Sequence, residues 1–544
     1  MEELLKKKIK EALGALDVQD AEPVVEFPAD LSHGDFATPT ALAAAKAVGV
    51  PPRTLAEKIV TKLGDIEGVS KVTIAGPGFI NFTLSREYVS RILQTVDEEW
   101  GKGGYFKGKA VVVEYSCPNP FKEMHIGHLM STVIGESVSR LIEFSGASTV
   151  RDSYGGDVGP HVAKALWGLR TLPAEGELTA EKIGTAYSYG SAQYEESEEA
   201  KKEIDELNVA IYKKDDAKLM ELWSAGKEVS VAAFKGLYRK LGTHFDRFFF
   251  ESETAELGLS KVEEGLAKGV FEKSDGAVIY PGEKKGLHTL VFVTSRGTPT
   301  YEAKELGLAF LKEQEFPCDA SYILTASEQV GHFKVVKAAL EEIAPELAEK
   351  THHIPHGFLR LPEGKMSSRK GNVVTAEALI ENAIQRVSER NPDEVVAEMV
   401  GVAAVKYAIL RAKPGSDVVF DVDQALSIEG DSGPYLQYSY VRAKSVLEKA
   451  TAAGIDVVPP ESVSSLERLL VRFPAVVERA AREFEPHFVT TYLTELASAF
   501  NSWYASEKII GNPHEAYYLM LVRAFTTTMK NGLWLLGIEA PEKM

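Results

Sequence analysis

Cysteine is almost missing from this chain: Cys117 and Cys318 are its only two, far apart in sequence. That excludes a disulfide framework, and without a C-x-x-C pair no zinc site, and no bound metal of any kind, is expected. Both cysteines read as small buried residues. No apolar run is long enough to cross a bilayer, and Met1-Glu2-Glu3-Leu4-Leu5-Lys6-Lys7-Lys8 lacks the apolar core of a signal peptide. A cytoplasmic protein is expected. Positive charge is in deficit: 61 Lys and Arg face 79 Asp and Glu, a net charge of −18. A general positive field is therefore excluded, and any polyanionic partner must be held by individually placed Lys and Arg. No internal repeat and no low-complexity segment is found.

What is present is a large apolar inventory, 44% of 544 residues, enough for two to four domains. Residues 1–106 read as an α+β unit. Amphipathic helices are expected at Leu4–Leu16, Thr40–Val48 and Thr54–Leu63, with strands at Val72-Thr73-Ile74 and Phe79–Leu84 joined by the turn Gly76-Pro77-Gly78. Residues 107–392 form a second unit with a helical insertion over about 172–240, whose acidic stretch Glu195–Glu203 reads as a solvated helix face. From 393 to 544 the pattern is helical, with periodicity over Glu394–Ala412, Tyr435–Ala452, Ser465–Glu485, Thr490–Ser506 and His514–Leu536.

The second unit carries the chemistry. Ala110-Val111-Val112-Val113 is an apolar run that ends on Glu114 and passes through Ser116-Cys117-Pro118-Asn119-Pro120 to His125-Ile126-Gly127-His128. Leu129, Val133, Ile134, Val138, Leu141 and Ile142 then recur at helical spacing. This is a buried parallel strand, a loop, and a helix that begins at two imidazoles. Ligands of open α/β sheets sit beyond the carboxyl ends of strands, and phosphates favour helix N-termini. His125 and His128, at i and i+3, can donate to phosphate oxygens from one face of the first turn, and Gly127 lets the backbone come close. The pair could also ligate zinc, but no third ligand lies nearby in sequence. Lys365-Met366-Ser367-Ser368-Arg369-Lys370-Gly371-Asn372 is a short cationic loop. Together the two stretches predict a nucleotide site.

These stretches resemble the HIGH and KMSKS signatures of class I aminoacyl-tRNA synthetases. Glu114-Tyr115-Ser116-Cys117-Pro118-Asn119 followed by Lys122, Gly433-Pro434-Tyr435-Leu436-Gln437-Tyr438, and the run from Lys530 to Met544 resemble the arginyl-tRNA synthetase versions. The resemblance spans nearly the whole chain. It implies an α/β fold: a class I Rossmann-type parallel-sheet catalytic domain, an α+β N-terminal domain touching the D-loop corner of tRNA, and an all-α C-terminal anticodon-binding bundle. It implies ATP-dependent attachment of arginine to tRNA(Arg) through an arginyl-adenylate, with Mg²⁺ supplied from solution. Activation that waits for bound tRNA is implied as well.

The resemblance also distributes roles. His125, Gly127, His128, Lys365, Met366, Ser367 and Ser368 would meet ATP, with His125, His128, Lys365 and Lys122 as the catalytic set. Ser368 stands where the second lysine of KMSKS is usual, so Arg369, Lys370 or Lys122 must compensate. Glu114, Asn119, Tyr301, Glu305, Gln329 and Glu251 would form the arginine pocket, because guanidinium is planar, always charged and rich in donors. Glu305 replaces the aspartate of a Y-x-x-x-D motif. Glu251 reads equally well as one more surface glutamate. Phe79 and Asn81 would offer a stacking face and an amide to a tRNA base, or else serve the core and the backbone. Partners are tRNA(Arg), arginine and ATP; no membrane is involved, and a monomer is the default. Two other readings stay open: a class I synthetase for another amino acid, such as lysine or glutamate, and a synthetase-like RNA binder without chemistry.

Overall fold

The computed structural model describes residues 1–18, 21–28, 30–173, 176–362, 374–450 and 457–544. They fall into two compact units: Met1–Gly101 with Ser439–Ala475 and Glu495–Asn531, and Lys102–Tyr438 with Val476–Thr494 and Gly532–Met544.

In the first unit, α1 (Glu2–Gly14), β1 (Phe36–Thr38), α2 (Thr40–Val48), α3 (Pro52–Leu63), β2 (Val69–Ala75), β3 (Phe79–Leu84) and α4 (Arg86–Leu93) follow in order. The antiparallel sheet runs β1-β3-β2, with Asn81 opposite Ala37 on one side and Thr73 on the other. Buried Leu5, Ile9, Leu55, Ile59, Ile80 and Phe82 supply its core. The expected helices and the two expected strands are present, and β1 and α4 come in addition. β1 has only three residues, too few for alternation to register, and α4 is an eight-residue helix whose Ser85 cap accepts from the Tyr88 N–H at 3.1 Å. Later helical residues of this unit pack through Phe500 and Phe525, stacked at 3.9 Å, and Trp503 edge-on to Tyr518. Arg86 pairs at 2.5 Å with Glu467, which also accepts from the Tyr517 hydroxyl at 2.5 Å.

The second unit is built on five parallel strands. These are β4 (Ala110–Glu114), β5 (Ser148–Gly155), β6 (Arg247–Phe250), β10 (Ala320–Ala326) and β11 (Thr351–His356), ordered β11-β10-β4-β5-β6. The apolar run Val111–Val113 is buried on both faces, as a central parallel strand requires. Helix α5 (Ile126–Phe144) connects β4 to β5. Helices α6 (Pro160–Thr171), α7 (Ala180–Glu196), α8 (Glu198–Lys213) and α9 (Ala217–Lys240) connect β5 to β6, and around Val162, Leu166, Ile183, Ile204 and Leu219 they bury a core of their own.

After β6 come α10 (Glu251–Ala267), a small antiparallel sheet of β7 (Glu272–Ser274), β8 (Ala277–Tyr280) and β9 (Leu290–Val293), and α11 (Tyr301–Glu315). The chain then returns beside β4 as β10, and α12 (Val330–Ile343) and α13 (Pro345–Lys350) lead to β11. β4 connects onward to one side and β10 to the other, so the crevice between their carboxyl ends is the topological switch point, where such sheets bind ligands. Helix α14 (Ala376–Ser388) packs on α15 (Glu394–Leu410), which was expected to open the C-terminal bundle and instead packs here on α14 and α5, buried on most of its surface. No described helix is long and apolar enough to cross a membrane.

Candidate active site

A cavity of about 1050 Å³ opens at the switch point. Its wall includes His125, Gly127, His128, Glu114, Asn119, Tyr301, Gln329 and Glu251, residues spread over more than two hundred positions of sequence. The loop that gathers them is strained: Ser116, Cys117 and Phe121 all take positive φ, at 71°, 51° and 68°. Left-handed backbone in three non-glycine residues is costly and persists only where the surroundings fix it.

His125 is the N-cap of α5. Its Nδ1 accepts from the Gly127 N–H at 3.1 Å, and His128 Nδ1 accepts from the His125 N–H at 3.2 Å, a capping box made of imidazoles. The rings stack at 3.7 Å. Because backbone N–H groups occupy both Nδ1 atoms, each neutral ring carries its proton on Nε2 and can donate from there. Burial, reinforced by the charges of His125 and Lys122, pushes His128 down to about 3, and burial with Lys122 lowers His125. At neutral pH both are uncharged donors. Gly127 matters through its missing Cβ, which would stand 2.8 Å from the His125 ring.

Acids line the other end, and each is already paired. Glu114, 2% exposed, accepts from Lys312 at 2.5 Å, leaving Oε1, among the described residues, with only the Cys117 thiol at 3.6 Å. Glu251 pairs with Lys304 at 2.5 Å. Asn119 Oδ1 accepts from the Gly156 N–H at 2.7 Å, so its amide NH₂ is the end left over. Among the described residues, buried Gln329 Oε1 has no hydrogen-bond partner.

Not every expected residue stands on that wall. Glu305 is not on the cavity wall: 4% exposed, it lies behind Tyr301, whose hydroxyl bonds to it, beside a separate void of about 20 Å³ shared with Lys312. Helical spacing from Tyr301 and a longer side chain than aspartate carry its carboxyl into the core, where burial and then Glu114 raise its pKa and Oε1 has no partner among the described residues. Lys122 is also off the wall, its ammonium 4.9 Å from the centre of the Tyr187 ring on α7. The cysteines are half-buried rather than core residues: Cys117 lines the cavity, and Cys318 sits in the connection between α11 and β10. Lys365, Met366, Ser367 and Ser368 lie outside the described residues. In the first unit Asn81 is only 5% exposed in the central strand, which withdraws its amide from a base, while Phe79 at the strand's start is half-buried. Among the described residues no three His, Cys, Asp or Glu are grouped to hold a metal ion.

Other residues of the site went unnoticed in the sequence. Asp152 on β5 and the lysines Lys304 and Lys312 on α11 are buried charges, visible only once strand and helix are packed. His161, whose Nε2 lies 2.8 Å from the Gly156 carbonyl, lines the cavity, and burial lowers it to about 4.

Three family models match the chain: "tRNA synthetases class I (R), catalytic domain" over residues 91–422, "DALR anticodon binding domain" over 436–544, and "Arginyl tRNA synthetase N terminal domain" over 3–84. Curated relatives include an arginine–tRNA ligase of Pediococcus pentosaceus, 32% identical over 99% of this chain and 100% of its own length. Another, from Halothermothrix orenii, is 31% identical over 98% of each chain. Among solved structures, an arginyl-tRNA synthetase of Thermus thermophilus superposes with a TM-score of 0.84 at 26% identity, covering 100% of both chains.

Proposed function

This chain belongs to the class I arginyl-tRNA synthetases, ligases that esterify arginine to tRNA(Arg) with ATP, and we propose how its cavity divides that work. ATP lies with its phosphates at the start of α5. There the Nε2–H groups of His125 and His128 donate to oxygens that gain charge as the arginine carboxylate attacks the α-phosphate in line. Lys365 and the residues Met366, Ser367 and Ser368 meet the departing pyrophosphate, with Arg369, Lys370 or Lys122 making up for the missing second lysine of that loop. Mg²⁺ arrives with the nucleotide. Positioning and electrostatic stabilisation account for the catalysis, and no covalent enzyme intermediate is needed.

The guanidinium faces Glu114 Oε1, with Tyr301 and Gln329 beside it, Glu251 as a second acid and Glu305 acting from behind the wall. The free amide of Asn119 holds the substrate's α-carboxylate. The adenylate then passes its arginyl group to the 2′-hydroxyl of the terminal tRNA ribose. Charging takes place where tRNA and ATP are, in the cytoplasm.

The observation that carries this reading is the stacked, neutral pair of Nε2–H donors at a helix N-terminus, facing one cavity with a buried carboxylate. Charging of bulk tRNA with labelled arginine tests it, and enzyme that leaves tRNA uncharged would overturn it. Pyrophosphate exchange should be near background until tRNA is added. Phe79, the accessible member of its pair, stacks on a tRNA base. Phe79→Ala should raise the KM for tRNA about 10-fold, the worth of one stacked base, whereas Asn81→Ala should act first on stability.

A further inference from the structure

Glu114 on the cavity wall stands together with two acids and a lysine behind it, Asp152, Glu305 and Lys312. Glu114 ends β4, and Asp152 is its partner directly across the parallel register on β5. Two carboxylates this close cannot both stay ionised in a dry interior without a counter-charge. The counter-charge comes from α11. Tyr301, Glu305, Leu308 and Lys312, at i, i+4, i+7 and i+11, share one helix face, and the last of them reaches both acids. Its Nζ stands 2.5 Å from Glu114 Oε2 and 2.8 Å from Asp152 Oδ2, and Lys312 is 4% exposed.

The two oxygens of Glu114 are therefore unequal. Oε2 is held by an ammonium with no access to the cavity, and Oε1 has, among the described residues, only a thiol at 3.6 Å, weaker than an ordinary hydrogen bond. Among the described residues, Lys312 is the one cation paired with Asp152. The lysine's own burial is tolerable only because two carboxylates flank it. Lys304, a lysine of the same helix, lines the cavity and can meet a ligand; Lys312 cannot.

We propose that Lys312 is a positioning residue for amino-acid selection: through the Asp152–Lys312–Glu114 bridge it aims one oxygen of Glu114 into the cavity, leaving the pocket matched to a single cationic side chain. This rests on the reading of Glu114 as the acid that meets arginine. It assigns to Lys312 no contact with substrate; supporting partners of this kind orient the group that does make contact.

The test is a mutant cycle in the full-length enzyme, read as KM for arginine, KM for ATP and kcat. Glu114→Gln tests the underlying reading alone, and an unchanged arginine KM there would overturn that reading. Given a raised KM in Glu114→Gln, Lys312→Met should raise the arginine KM at least 10-fold with the ATP KM unchanged and kcat within a few-fold. In Glu114→Gln/Lys312→Met the lysine change should add nothing further, because the group it positions is gone. If Lys312→Met does not fold, Lys312→Met/Asp152→Asn removes the lysine together with the acid it neutralises, and the same criteria apply. An arginine KM that stays at the parent value, or one that rises together with the ATP KM and a falling kcat, would overturn the inference.

Discussion

The two ends of the cavity are built on different physics. The phosphate end is local: one loop and one helical turn place His125 and His128, their backbone fixes the tautomers, and both donors are neutral. The amino-acid end is assembled over long range from β4, β5, α10 and α11, and every acid in it except Glu305 has a lysine within 2.8 Å. A site for developing charge can be made of uncharged donors pre-aimed by backbone. A site for a permanent cation needs buried charge, and buried charge needs a supporting counter-ion.

The largest effect should come from asking the charged end for the wrong substrate. On the proposed reading its carboxylates meet a planar, multi-donor cation, so lysine should be charged about 10⁴-fold less efficiently than arginine, since a shorter point charge leaves buried acceptors unmet. Competitive charging with both labelled amino acids measures this, and similar rates would show that the pairing does not select.

At the phosphate end, His128→Ala removes one donor aimed at transition-state charge, and adenylate formation should fall by about 10²–10³-fold with tRNA affinity unchanged. Gly127→Ala is subtler. The added Cβ would sit 2.8 Å from the His125 ring and must turn it, so kcat should fall about 10-fold or more while the arginine KM holds. An equal loss in arginine affinity would break the separation drawn between the two ends.

How much of this the sequence disclosed follows the same division. The β4–loop–α5 unit was legible because its apolar run, its glycine and its histidines are contiguous and obey one period. Glu114 was reached from its place at the end of that run, and Asn119 from the family resemblance. Their partners were not. Lys312 and Asp152 reach Glu114 from other elements, and no local pattern marks a lysine that will be 4% exposed. Glu305 was placed in the pocket from its spacing to Tyr301, and the fold buries it behind that tyrosine. In the small sheet, Glu272–Ser274 is exposed throughout and gives no alternation to read.

The smallest effect concerns acid stability. His128 is held down to about 3 by burial, below the ordinary 6.5, so the unfolded chain binds the extra proton between those values. Its contribution is fully present above pH 6.5 and is lost as pH falls from there toward 3. His128→Asn, which keeps an acceptor for the His125 N–H and does not titrate, should therefore lose less Tm than the parent between pH 7 and 5. An unchanged difference would mean that this imidazole is protonated in the folded state, against its role as a neutral donor.

The most direct test of the whole account is charging of bulk tRNA with each of the twenty amino acids in turn, ATP present. The account predicts ester formation with arginine and, by comparison, almost none with lysine, glutamine or glutamate. Charging with a different amino acid, or with none, would contradict it.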